Sequence, residues 1–131
     1  MTIAHILVVD DEPDVASMFQ QKFRKEIKAK AIGFHFALSA TEALTYLEEP
    51  TARAEATLIL SDINMPGMNG LELLRVLKEK YPPLPVFMVT AYGDEQSQQT
   101  AESYGANGFI NKPVDFRQLK EDIFSLVSKV S

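Results

Sequence analysis

The chain opens with a short, largely apolar run, Ala4 to Val9, in which several residues are β-branched. Such a run suits a strand covered on both faces. It ends abruptly in Asp10, Asp11 and Glu12; Pro13 then fits a first helical turn, with Asp11 or Glu12 placed to cap, and Val15, Phe19, Phe23 and Ile27 repeat at helical spacing. Gly33 breaks that pattern, 34–38 reads as a second strand, and Thr41, Ala43, Leu44 and Leu47 mark a short helix that stops before Pro50. The cycle then recurs. Residues 57–61 form a strand pattern, 64–70 is turn material, Leu71, Leu74 and Leu77 mark a helix, and Pro82, Pro83 and Pro85 delimit it. A fourth strand is expected over 85–89, and a polar helix over 94–104. Gly105 and Gly108 bracket the turn into a short strand at 108–111, and Phe116, Leu119, Ile123, Val127 and Val130 form a closing apolar stripe.

Five strands alternating with five helices predict an α/β fold, a doubly wound and mostly parallel sheet with helices on both faces, because parallel neighbours need crossover connections. In such sheets ligands bind beyond the carboxyl ends of the strands, near the point where the strand order reverses. With 131 residues, 46% of them hydrophobic, the chain is expected to form a single domain over 1–131 with one core. A net charge of −5 argues against direct nucleic-acid binding, and the basic stretch from Lys22 to Lys30, interrupted by Glu26 and Ile27, reads as a solvated helix face. There is no cysteine, so neither a disulfide framework nor a thiolate metal site. No run approaches the ~20 apolar residues of a membrane span, so a cytoplasmic protein is expected.

The residues with chemical potential sit where strands end. Asp10 and Asp11 follow the first strand, Asp62 the third, Thr90 the fourth and Lys112 the fifth. Three gathered carboxylates repel one another unless a cation compensates, and a hard divalent ion such as Mg²⁺, which takes a few carboxylate oxygens and keeps several waters, is the natural remedy. A lysine adds a point charge for a phosphoryl oxygen and a threonine hydroxyl can donate to another. Each residue alone has an ordinary explanation: a helix cap for Asp11, a strand end for Thr90, a surface lysine for Lys112, a turn former for Asp62. Their joint occurrence, each at a separate strand end, points instead to phosphoryl transfer onto a carboxylate.

Val8-Val9-Asp10-Asp11-Glu12, Ser61-Asp62-Ile63-Asn64-Met65-Pro66, Val89-Thr90-Ala91 and Asn111-Lys112-Pro113 together resemble the motif set of response-regulator receiver domains, over essentially the whole chain. The resemblance implies a flavodoxin-like strand order 2-1-3-4-5. It also implies Asp62 as phosphoacceptor, and Mg²⁺ held by Asp10, Asp11, Asp62 and the backbone carbonyl of Asn64. Thr90 and Lys112 would grip the phosphoryl group, with Thr90 and Phe109 as switch residues, Asn64 and Tyr92 as tuners of dephosphorylation, and a cis bond between Lys112 and Pro113. Such a domain takes its phosphoryl group from a histidine kinase or phosphotransfer protein, catalyses only its own phosphorylation and dephosphorylation, and alters the face built from 94–104, 108–111 and the closing helix to control an output, with a phosphorylation-dependent homodimer as one form that output can take. Gln20 to Lys25, Ala91 to Asp94 and Pro113 to Phe116 further resemble receivers found ahead of nucleotide cyclase domains, which leaves open a receiver belonging to a longer regulator.

Three other readings compete. An aspartyl-nucleophile phosphatase would share Asp62-like chemistry but resembles its relatives in a second aspartate two residues on, where this chain has Asn64. A flavodoxin-like cofactor binder would offer a phosphate-cradling loop after the first strand, not three acids. A receiver turned phosphorylation-independent interaction module would not need these residues.

Overall fold

A computed structural model describes residues 4–63, 69–90 and 95–130, with side chains described as far as residue 126. The elements run β1 (Ala4–Val9), α1 (Asp14–Lys22), α2 (Arg24–Lys28), β2 (Ile32–Ala37), α3 (Ala40–Glu48), α4 (Pro50–Glu55), β3 (Leu58–Asp62), α5 (Gly70–Lys80), β4 (Val86–Thr90), α6 (Glu95–Ser103), β5 (Gly108–Asn111) and α7 (Phe116–Val130). All five strands pair in parallel in the order β2-β1-β3-β4-β5, the doubly wound arrangement expected from the alternation of elements.

Alternation along the strands sorts the apolar residues to two faces. Ile6, Val8, Leu58 and Leu60 pack with Phe19, Phe23, Leu119 and Ile123 from α1, the α1–α2 junction and α7. Leu7, Val9, Ile59 and Met88 face the other way, against Ala43 and Leu47 of α3, Leu73, Leu74 and Leu77 of α5 and Ala101 of α6. Phe19, Phe23, Phe34, Phe36 and Phe116 stack edge to face or offset on the first face, with centroids 5.1 to 6.3 Å apart. Those are favourable aromatic geometries.

Several boundaries differ from the sequence reading. The first helix is interrupted at Phe23, which leaves helical geometry (φ −105°, ψ 18°), yet its N–H still donates to Phe19 and its carbonyl still accepts from Ile27, so the apolar stripe stays continuous. Neither Asp11 nor Glu12 caps α1 through its side chain; the chain enters by a turn in which the Glu12 carbonyl accepts from Val15 N–H, while Asp11 faces the other two aspartates. Gly33 is not the breaker, since it lies within β2 opposite His5; α2 ends instead at Lys28, and the turn after it places Lys30 in the left-handed region at φ 60°. That turn carries Lys30 N–H onto the Ile27 carbonyl and Ala31 N–H onto that of Glu26, a paired closure that offsets the strain of a side chain at positive φ. An unforeseen helix, α4, begins at Pro50, where a missing N–H costs nothing. The third and fourth strands each run one residue further than expected, so Asp62 and Thr90 are themselves the last strand residues.

Gly70 sets how α5 meets the sheet. Its N–H donates to the Ile63 carbonyl at 2.9 Å, and a Cβ there would overlap the Asp62 carbonyl oxygen and come within 2.7 Å of Ile63 Cα. Both obstacles are backbone and cannot swing away. Helix propensity favours alanine over glycine by about 1 kcal/mol, whereas forcing a group into packed backbone costs typically 1–3 kcal/mol. Gly70→Ala is therefore expected to lower the urea midpoint despite its better propensity; a midpoint at or above the wild-type value would show that α5 retreats freely from β3.

Candidate functional site

Parallel strands place their carboxyl ends along one edge of the sheet, and the acidic residues collect there. Asp10 leaves β1 with its N–H bonded to the Ala37 carbonyl of β2, and its Oδ1 accepts from Glu12 N–H at 3.0 Å, which folds the acidic turn back over the strand end. Asp62 closes β3, paired with Val89 of β4. Asp10, Asp11 and Asp62 each offer a carboxylate oxygen, and these atoms all lie within 4.8 Å of one another. Lys112, held by its N–H on the Thr90 carbonyl, reaches Asp62 Oδ2 with Nζ at 3.3 Å; the Asp62 side chain is only 5% exposed, the lysine 41%.

The charges are unequally compensated. Burial pushes the Asp10 carboxyl up; the Glu12 N–H opposes this, the Asp62 charge adds to it, and Lys112 works against it, leaving a net rise. Burial alone would lower the Lys112 ammonium, but the charge and hydrogen bond of Asp62, with Asp10 and Glu12 behind, outweigh it and raise it. Three carboxylates against one ammonium form a basin with surplus negative charge, and oxygen donors this close together fit a hard cation.

Thr90, 1% exposed, closes β4 opposite Asn111 of β5, and its hydroxyl donates to Asn111 Oδ1 at 2.9 Å. Phe109 is half-buried against the α3–α5–α6 face, the face that Met88 occupies, and is paired with Met88 in register. The Lys112–Pro113 peptide bond is cis. Asn64 and Tyr92 lie outside the described residues.

The response regulator receiver domain family matches this chain over residues 6–124. The chain belongs to that family. Among curated relatives, the receiver is 34% identical over 116 residues to the response regulator protein PilR of Pseudomonas aeruginosa, covering 88% of this chain and 24% of that protein. It is likewise 34% identical over 116 residues to the DNA-binding transcriptional regulator NtrC of Proteus hauseri, covering 88% and 23%. The chain thus spans about a quarter of the length of these two relatives. Among solved structures, a response regulator receiver domain protein from Clostridium thermocellum superposes with a TM-score of 0.83 at 26% identity, covering 96% of this chain and 95% of that one. Receiver domains are signalling switches of two-component systems, and the flavodoxin-like strand order expected by resemblance is the one observed.

The receiver's strand ends therefore bring together Asp10, Asp11, Asp62 and Lys112, with Thr90 one strand over. In the sequence Asn111 is visible only as part of the Asn-Lys-Pro run; its grip on Thr90 depends on the β4·β5 register, which no local pattern specifies. Ser61, fully buried with its hydroxyl on the Asp62 carbonyl, was missed for the same reason, since its environment is set by β1 and β4 on either side.

The raised Asp10 carboxyl has a stability consequence. A carboxyl whose folded pKa lies above its unfolded value costs stability when charged, and the cost disappears as pH falls through the folded pKa towards the unfolded one. Asn at this position removes the charge but keeps an oxygen for Glu12 N–H. Metal-free Asp10→Asn is expected to melt a few degrees above wild type at neutral pH, with the gap narrowing as the solution is acidified; thermal melts in chelator check this, and a gap that does not change with pH would place the effect elsewhere.

Proposed function

We propose that this receiver takes a phosphoryl group onto Asp62 from the phosphohistidine of a histidine kinase or phosphotransfer protein, and that the modified form changes the surface of α6, β5 and α7 to control an output. The observation that carries the reading is the set of three carboxylate oxygens within 4.8 Å of one another, closed by Lys112 at 3.3 Å from Asp62. Asp62 is the member paired with the lysine, and it sits buried at the end of a central strand.

In the transfer an Asp62 oxygen attacks phosphorus in line. The new O–P bond forms as the P–N bond to the donor imidazole breaks, and the imidazole leaves with that electron pair. Asp10, Asp11, Asp62 and the Asn64 carbonyl would hold Mg²⁺, which when bound supplies the positive charge that lets carboxylates and phosphoryl oxygens share one basin. Lys112 moves from a carboxylate oxygen to a phosphoryl oxygen, a short step for a flexible stem. Thr90 donates to a second phosphoryl oxygen, for which its hydroxyl must leave Asn111. Phe109, on the same sheet face, then fills the space behind Thr90. Asn64 and Tyr92 would tune the lifetime of the acyl phosphate. Moving such an equilibrium from about 1% to 99% active takes roughly 5.5 kcal/mol of differential phosphoryl interaction.

The reaction is the receiver's own modification and its reversal, in the cytoplasm, with residues 1–131 acting as one domain. The output is a partner, a phosphorylation-dependent second copy, or a further domain of a longer regulator, such as a nucleotide cyclase.

Incubation with Mg²⁺ and acetyl phosphate is expected to add one phosphoryl mass that hydroxylamine removes, and Asp62→Asn is expected to abolish it; full labelling of that variant would sink the assignment. Millimolar Mg²⁺ is further expected to raise the melting temperature, since an ion that binds only the native state stabilises it by mass action. The rise should shrink in Asp11→Asn and in Asp62→Asn, and equal shifts in all three proteins would put the ion at another site.

A further inference from the structure

At the end of the sheet opposite the acidic basin, a lysine is spent on an internal bond set that the phosphoacceptor chemistry does not use. Lys78, near the C-terminus of α5, sends Nζ to Asn107 Oδ1 at 2.6 Å and to the Leu84 carbonyl at 2.9 Å, with the Pro82 carbonyl at 3.5 Å. An ammonium has three donors and no acceptor, so this one is aimed wholly at three protein oxygens. Burial lowers its pKa, and no carboxylate is among these three partners. Asn107 is committed in turn: the same Oδ1 accepts from Val86 N–H at 3.0 Å, and Asn107 N–H donates to the Val86 carbonyl at 2.8 Å, extending the β4·β5 pairing by one residue below Phe87 and Gly108.

The bond set fastens α6 from below. That helix ends in a paired closure, Ala106 N–H on the Ala101 carbonyl at 3.0 Å and Gly105 N–H on the Glu102 carbonyl at 3.1 Å, with Gly105 at φ 98°. A Cβ at Gly105 would lie 3.5 Å from Lys78 Cγ, so the lysine stem runs directly beneath the turn. Ala101, in the last turns of α6, is its only fully buried residue among those described. A helix tied at its C-terminal end and with little apolar burial elsewhere has one mechanically easy motion: rotation about the tied end.

The geometry points to Lys78 and Asn107 as positioning residues that make the C-terminal end of α6 a fixed pivot, so that a change at Thr90 swings the N-terminal part of the helix and leaves Gly105–Asn107 in place. This rests on the switch reading above for what drives the swing, but the pivot itself is a property of the unmodified protein. Lys78→Met keeps most of the stem and removes the ammonium, far from the acidic basin.

Amide hydrogen exchange on the unmodified protein tests the pivot first. Residues 103–107 and Val86 are expected to exchange at least tenfold more slowly than 99–101, and Lys78→Met to erase that difference; equal exchange rates along α6 in the wild type would overturn the pivot. Beryllofluoride with Mg²⁺, as a phosphoryl stand-in, tests its use. Wild-type amide shifts in α6 are expected to decline from Glu95 to near zero at Gly105–Asn107, and in Lys78→Met to extend through Gly105–Asn107 with the shifts at Asp62 and Lys112 unchanged. An identical profile in the two proteins would overturn the positioning role, since a merely stabilising lysine would lower the melting temperature without moving the profile. Absence of any shift around Asp62 would count against the phosphoacceptor reading alone, the exchange gradient still deciding the pivot.

Discussion

A carboxylate that is almost completely buried at the end of a central strand has to be compensated, and the arrangement around Asp62 follows from that requirement. Asp62 ends β3 between β1 and β4, so the apolar packing that stabilises the sheet also removes water from its side chain. Lys112 neutralises one oxygen at 3.3 Å, while Asp10 and Asp11 crowd the same space with like charge. Taking a charge out of water costs several kcal/mol, and here one lysine stands against three acids. The surplus is a cost for folding, and under the proposed function it is what would draw in a cation.

The rest of the fold keeps that defect in place. Gly70 lets α5 approach the Asp62 backbone more closely than any side chain would allow, which seats the start of the helix directly against the strand end. Asp10 spends an oxygen on Glu12 N–H, directing the acidic turn over the basin and not towards a cap for α1. On the other side, Glu26 of α2 pairs with Lys120 of α7 at 3.3 Å, and the Lys120 ammonium lies 5.3 Å from the Phe23 ring centre, so the phenylalanine-rich face carries an ionic latch over its apolar packing. Stability is thus supplied by the two faces and by the lower end of the sheet. The upper end, where the carboxylates meet, is free to be chemically strained.

That division separates a heavily packed half from a sparsely packed one. The elements on the Phe19–Phe23–Leu119 side are heavily apolar, whereas α6 contributes a single buried alanine and is otherwise polar. Local opening free energies follow burial, so α6 belongs to the low-stability end of the structure. Thr90 and Phe109 share its face of the sheet, which puts a sparsely buried helix beside the strand end that neighbours Asp62.

The sequence by itself determined the strands, the order in which helices alternate with them, and the family. Period-two and period-3.6 apolar patterns are local properties, and carboxylates following strand runs are visible without any contact map. Even there, boundaries slipped where a local pattern had two solutions. Glycine is a usual breaker, but pairing with His5 keeps Gly33 in β2; the turn that closes α2 is made by Lys30, which carries no residue-type mark for a left-handed conformation. What only the tertiary structure decided are relations between residues far apart in the chain: Lys112 with Asp62, Thr90 with Asn111, Lys78 with Asn107, and the close approach of Gly70 to Asp62. Each depends on strand register and crossover packing, which arise from the summed burial of two apolar faces and leave no trace at any single position.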